Sequence, residues 1–173
     1  EFALRDAEVF STLSEKLGGR YETEKLDKLF EIIWKGSMPA LNADDDLETD
    51  INVRWNDFYA SYIDACIRRD ARDIGGNINP VKFMRFLTVT ASHTAQILNV
   101  KLIAEEAEID QVTAKNWLGI LANIGLIFYL HPYAHESLKR VIKTPKLYFY
   151  DTGLVCNLTK WNSPDAALNG AMS

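Results

Sequence analysis

The stretch from Leu102 to Ile127, LIAEEAEIDQVTAKNWLGILANIGLI, narrows what this chain can fold into more than any other. Two segments with helical spacing of apolar residues stand a few residues apart, and the second runs into β-branched and aromatic residues. Asn99 is placed to cap a helix over about Val100 to Ala107, and Asp110 to cap another over about Gln111 to Asn123. A short side-chain oxygen there takes an amide hydrogen that the first turn leaves unpaired. Gly125 closes the second helix. LIFYLHPY then reads as a strand, and Lys146 to Tyr150 as a second one ahead of a turn at Asp151-Thr152-Gly153. Helix, helix, helix, strand, loop, strand is the order of a winged helix-turn-helix. That shape enters DNA grooves, and it also serves simply to pack.

Everything upstream reads as helix. Val9, Phe10, Leu13 and Leu17 share one face, and Gly18-Gly19 ends that helix. A second helix, about Glu22 to Lys35, turns Leu26, Leu29, Phe30 and Ile33 inward, and KGSMPAL breaks it. NADDDLETD is an acidic linker or helix start, with a cation site as the lesser alternative. INVRWNDFYASYIDACIRRDARDIGG is a long helix with Phe58, Tyr62, Ala65 and Cys66 on one face, stopped by Gly75-Gly76. Asn79-Pro80 starts the next helix, with Phe83, Phe86, Leu87 and Leu98 inward.

Bulk properties exclude several classes. With 173 residues the chain is one ordinary domain or two small ones, and 47% hydrophobic content is that of a folded protein. A net charge of −5 gives no global pull on nucleic acid or an anionic membrane, so any DNA contact must come from a local patch. No apolar run approaches the ~20 residues that span a bilayer, and no segment has the form of a signal peptide. Cys66 and Cys156 fit no metal or redox spacing and read as reduced core thiols of a cytoplasmic protein. His131 and His135 are four apart, but Pro132 between them removes the helical metal face, so no metal site is expected. Without an initiator Met, and with ALNGAMS at the other end, the chain is expected to be a fragment of something larger.

Several runs together carry a family resemblance. Pro132-Tyr133 ends the first strand, Lys139-Arg140 follows, and then comes the long, oddly composed run KTPKLYFYDTGL from Lys143 to Leu154. YIDACIRRDARDI offers a Tyr-x-x-x-x-x-x-Arg-Asp-x-Arg helix, and KGSMPAL a Gly-Gly-x-Pro loop with Ser37 in place of the second glycine. From about residue 28 onward the chain resembles predicted AAA-superfamily ATPases of bacteria and archaea that carry a C-terminal domain of unknown function. The resemblance implies an upstream nucleotide-binding domain with ATP and Mg, and a nuclease-like α/β domain downstream. This chain would then hold the helical lid remnant and the winged helix. GGRYETEK and GGNINPVK lack the phosphate-loop spacing, so the chain is not expected to hydrolyse ATP itself or to hold a cofactor. By the same resemblance, Arg68, Arg69 or Arg72 would reach a nucleotide phosphate in the intact parent, a task suited to a planar, always-charged donor. Local pairing with Asp70 and Asp73 is the alternative.

The candidate nucleic-acid contacts fall in two places. On the second helix of the motif, Gln111, Thr113, Lys115 and Asn116 point outward, while Trp117, Leu118, Leu121 and Ile124 face the core. Gln and Asn bond adenine bidentately, and Lys reaches guanine or phosphate. In the wing, Lys139, Arg140, Lys143 and Lys146 stand against one acid, Glu136, and point cations suit phosphate contact. Two features weigh against DNA. Glu108 and Ala114 stand where such motifs often have Gly and a β-branched residue. Glu105, Glu106 and Glu108 would repel phosphates by roughly 1 kcal/mol per close pair.

The expected fold is mainly α: residues 1–50 a remnant of an AAA-type lid, 51–98 a helical connector, 99–160 a winged helix with a small β-wing, and 161–173 a linker or tail. Two functions remain open. One is a winged-helix DNA-binding or accessory module of an ATPase, with double-stranded DNA and the missing domains as partners. The other is a protein–protein, interdomain or oligomer contact without nucleic acid.

Overall fold

A computed structural model describes residues 26–42, 50–68, 78–132 and 144–170 of the chain. They are mainly helical, with one two-stranded sheet. The elements are α1 (Leu26–Lys35), α2 (Pro39–Asn42), α3 (Ile51–Tyr62) continuing into a π-helical turn (Ile63–Arg68), α4 (Pro80–Ser92), α5 (Val100–Ala107), α6 (Gln111–Asn123), β1 (Ile127–Leu130), β2 (Lys146–Phe149), α7 (Thr152–Leu158) and α8 (Pro164–Gly170). No helix among the described residues is long and apolar enough to cross a membrane.

Capping chemistry sets the helix starts. The Asn79 carboxamide accepts from the Val81 and Lys82 amides at 3.0 and 3.2 Å, with Pro80 at the first helical position. Asn99 accepts from the Leu102 amide at 3.1 Å and so opens α5. Strands β1 and β2 are antiparallel, pairing Ile127 with Phe149 and Leu130 with Lys146. A third extended segment escapes sequence reading. Ile97 bridges Lys146 on the other side of β2, with Ala95 N donating to the Leu147 carbonyl at 2.7 Å and Leu147 N to that of Gln96 at 3.1 Å. It is too short to show a two-residue alternation.

Around this sheet, α4, α5 and α6 pack in sequence. Trp117 of α6 sets its edge against Phe83 and Phe86 of α4, with ring centroids 5.2 and 5.3 Å apart. The remaining helices gather at the other side of α4, where α7 packs on α1, α3 and α4, and α8 packs on α1. Trp34 of α1 stacks on Trp55 of α3 at 4.7 Å, and the Trp55 indole N–H donates to the Trp34 carbonyl at 2.9 Å. The Trp34 indole donates in turn to the Trp161 carbonyl at 3.0 Å. Each buried indole thus places its one polar atom on a partner.

Asp151 ties these helices together. Its carboxylate is buried, 5% exposed, and accepts four hydrogen bonds. These come from the Tyr59 hydroxyl (2.6 Å), the Leu154 amide (2.6 Å), the Ser37 amide (2.7 Å) and the Ser37 hydroxyl (3.0 Å). Asp151 therefore caps α7 and fastens the end of α1 and the middle of α3 to it. Two glycines make the approach possible. Gly36 sits at φ +80, and a Cβ there would meet the Tyr59 hydroxyl at 2.5 Å. A Cβ at Gly153 would meet the Lys35 carbonyl oxygen at 2.6 Å. Burial raises the Tyr59 hydroxyl well above its ordinary range, and the neighbouring Asp151 raises it further. Burial also pushes the Cys156 thiol up to about 11, with Asp151 adding to the effect.

Several expectations are corrected. Leu29 was placed inward but is 45% exposed, and α1 buries Trp34 instead. On α3 the buried row is Trp55, Tyr59 and Ile63; Phe58 and Tyr62 flank it half-buried, and Ala65 is exposed. In both helices the buried positions include large aromatics whose polar atoms find internal partners, which an apolar count passes over. Asp151-Thr152-Gly153 is not a free-standing turn but the start of α7. The expected tail contains α8, opened by Pro164 with the Ser163 hydroxyl accepting from the Ala166 amide at 3.1 Å. The helix expected over residues 6–17, the start of the next near Glu22, and the end of the long helix at Gly75-Gly76 lie outside the described residues.

Candidate nucleic-acid interface

The α5–α6 pair is built around a three-residue turn. Glu108 ends α5 in the left-handed region, at φ 54 and ψ 47. Its amide donates to the Glu105 carbonyl at 3.2 Å, and the Ile109 amide to that of Ala104 at 3.0 Å. This is the position where glycine is common, and a side chain held there costs about 1 kcal/mol. Asp110 then caps α6, accepting from the Thr113 amide at 2.9 Å and the Thr113 hydroxyl at 2.5 Å. The Thr113 hydroxyl is the main reason the Asp110 carboxyl titrates below its usual range.

One face of α6 is locked inward: Ala114, Trp117, Leu118, Ile120 and Leu121 are buried, and Ile124 just beyond is half-buried. Ala114 is fully buried without the bulk expected of a β-branched residue. The opposite face exposes Gln111, Val112, Lys115, Asn116, Gly119 and Asn123. Of the residues named from sequence, Gln111, Lys115 and Asn116 stand on this face with no hydrogen bond or ion pair among the described residues. Thr113 differs, being half-buried with its hydroxyl engaged by the cap. Gly119 and Asn123, not singled out from the sequence, continue the row one and two turns beyond Asn116, a spacing present in the sequence. A shallow open depression along this face is lined by Thr113, Lys115, Asn116, Gly119 and Asn123.

The acidic cluster of α5 is paired rather than bare. Glu106 meets the His93 ring at 2.7 Å, Glu108 meets Arg85, and Glu105 lies 3.7 Å from Lys101. Arg85 lies within α4 and His93 caps its end, so Glu108 and Glu106 bind the α5 segment to α4. Exposed pairs of this kind contribute little stability, but Arg85 and Lys101 offset the charge of Glu108 and Glu105 next to α6.

Lys146 begins β2, exposed and opposite Leu130. Lys139, Arg140 and Lys143 lie outside the described residues, as do Arg69 and Arg72. Arg68 ends the π-helical turn that continues α3.

The family described as Domain of unknown function (DUF8612) matches residues 26–165. The chain belongs to that family. Among curated proteins it is similar to Uncharacterized protein Rv2008c of Mycobacterium tuberculosis, 27% identical over 158 residues. It is equally similar to Uncharacterized protein Mb2031c of Mycobacterium bovis. The match covers 84% of this chain and 34% of either relative, so the chain spans about a third of the length of the curated relatives it matches. No solved structure matches it.

Proposed function

We propose that this chain is a winged-helix module that contacts double-stranded DNA through the exposed face of α6 and the β1–β2 wing, without catalytic activity of its own. The observation that carries the reading is the two-sidedness of α6. Its inner face is fixed by Trp117 against α4, while Gln111, Lys115, Asn116 and Asn123 stand outward without partners among the described residues. Unpartnered amides and an ammonium on a rigid helix are the groups that read base edges and phosphates in a major groove. The segment around Ile97 supports the winged-helix reading, since that fold has a short edge strand between its first two helices, beside the last strand of the wing. The cations Arg85 and Lys101 beside Glu108 and Glu105 offset part of the repulsion that weighed against DNA. The curated relatives extend well beyond the matched region, which leaves room for the separate nucleotide-binding domain, with ATP and Mg, that the sequence resemblance implies.

Protein contact is the second reading, favoured by Val112, which is 70% exposed in the middle of the same face. Fluorescence anisotropy of a labelled random duplex, titrated with the chain from low to physiological salt, separates the two. Duplex binding that weakens steeply with salt, and that drops in K115A/N116A and in the triple alanine variant of Lys139, Arg140 and Lys143, supports DNA contact. No binding at low salt selects protein contact.

A further inference from the structure

The outer face of the hairpin carries a feature that duplex contact does not use. Along β2, Leu147 and Phe149 turn into the core, which sends Lys146, Tyr148 and Tyr150 to the other side. Phe128 of β1 stands directly opposite Tyr148, and the two rings stack at 5.4 Å with planes 16° apart. The Tyr150 ring lies 4.9 Å from Phe128 at 45° and is itself 63% exposed. Three aromatic rings and an ammonium thus share one open sheet face, where solubility alone would call for short polar side chains.

The sequence of this hairpin differs in charge from the chain as a whole. From Ile124 to Tyr150 the sequence has four cations, Lys139, Arg140, Lys143 and Lys146, against the single carboxylate Glu136, in a protein of net charge −5. A partner that matches both features has an anionic backbone and exposed π faces. The three rings already touch one another, at 5.4 and 4.9 Å, so no base enters between them, and a base can stack only on the exposed outer side of Tyr150. In a duplex the base faces are covered by their neighbours, which leaves unpaired bases as the ones that can do so. We propose that Phe128, Tyr148 and Tyr150, with Lys146, form a stacking platform for the unpaired bases of single-stranded DNA. This site is separate from α6 and shares only Lys146 with the duplex reading.

The test is anisotropy of a labelled oligothymidylate of about 20 nucleotides, long enough for an ordinary site of this kind, in about 50 mM salt. A blunt duplex is titrated in parallel against the 173-residue chain, Y150A and Y150F. Stacking losses at one base predict that Y150A weakens oligothymidylate binding by about 5- to 100-fold. Y150F keeps it, and duplex affinity changes less than twofold in both. Since Tyr150 is exposed, the circular dichroism and thermal midpoint of Y150A should match the parent chain. The proposal is overturned if oligothymidylate does not bind, if Y150A binds it as the parent does, or if Y150A weakens both ligands equally. A dimer in solution that Y150A dissociates also overturns it, since the face would then cover a second copy. Duplex binding without single-strand binding would defeat this proposal and leave the α6 reading standing.

Discussion

Replacing Asp151 with alanine tests the central joint of the fold. Four donors lose their acceptor. The Leu154 amide is buried and loses its cap, which costs about 1–2 kcal/mol. Tyr59 retains only its 3.3 Å contact with the Lys35 carbonyl, and a poorly satisfied buried hydroxyl costs about 1–3 kcal/mol. Ser37 is exposed, so its amide and hydroxyl turn to water at little cost. Release of a buried charge offsets part of the loss. The expected net destabilisation is about 3 kcal/mol. In urea, followed by tryptophan emission, this lowers the midpoint by about 1.5 M for a slope of about 2 kcal/mol/M. Asn in place of Asp151 keeps one oxygen and the volume, and should lose about half as much. A D151A midpoint within about 0.3 M of the parent would mean that the carboxylate does not join these helices, and the reasoning would be refuted.

Three further outcomes are expected. G153A drives a methyl into the Lys35 carbonyl, a backbone atom that cannot swing away, and should destabilise by at least about 2 kcal/mol in the same urea assay. G119A places its methyl in open space on an exposed helix and should stabilise by up to about 1 kcal/mol; destabilisation would show that α6 is not a regular helix there. For pH, both Cys156 and Tyr59 have folded values raised above their unfolded ones, near 9 and 10. Their stabilisation is complete below pH 9, falls as unfolded thiols ionise between 9 and about 11, and falls further above 10 as unfolded tyrosine ionises. The urea midpoint should therefore drop from pH 9 to 10, and C156A should flatten that drop.

The α5–α6 pair was legible because its signals are local: two capping residues, an apolar period and a closing glycine lie within one short stretch. The exposed row of Gln111, Lys115 and Asn116 followed from the same period. Thr113 was misplaced because its hydroxyl could serve a cap or a groove, and Asp110, already identified as a cap, determines which. The Asp151 joint was not legible. Ser37, Tyr59 and Asp151 are far apart in sequence, and each alone reads as a loop serine, a helical tyrosine and a turn aspartate. α8 was hidden because it is only seven residues long and PDAALNG carries a single large apolar side chain, and Ala167 is buried by the position of α1 rather than by its own size. The aromatic face of the hairpin was visible as composition, but only the strand register separates Tyr148 and Tyr150 from Phe149.

The way α1 is held has a consequence for the order of folding. Its partners lie late in the chain: the Trp34 indole bonds a carbonyl 127 positions away, and Ser37 a carboxylate 114 away. Closing a loop of that length costs about 4 kcal/mol of chain entropy before any contact forms. The α4-to-β2 unit lies within residues 80–149 and includes neither of those contacts. During synthesis, therefore, α1 stays without its α7 and α8 partners until nearly all of the described chain has been made. Over that interval the indoles of Trp34 and Trp55 are covered only by each other and by early neighbours such as Tyr59, which makes the α1–α3 segment the part most in need of a chaperone.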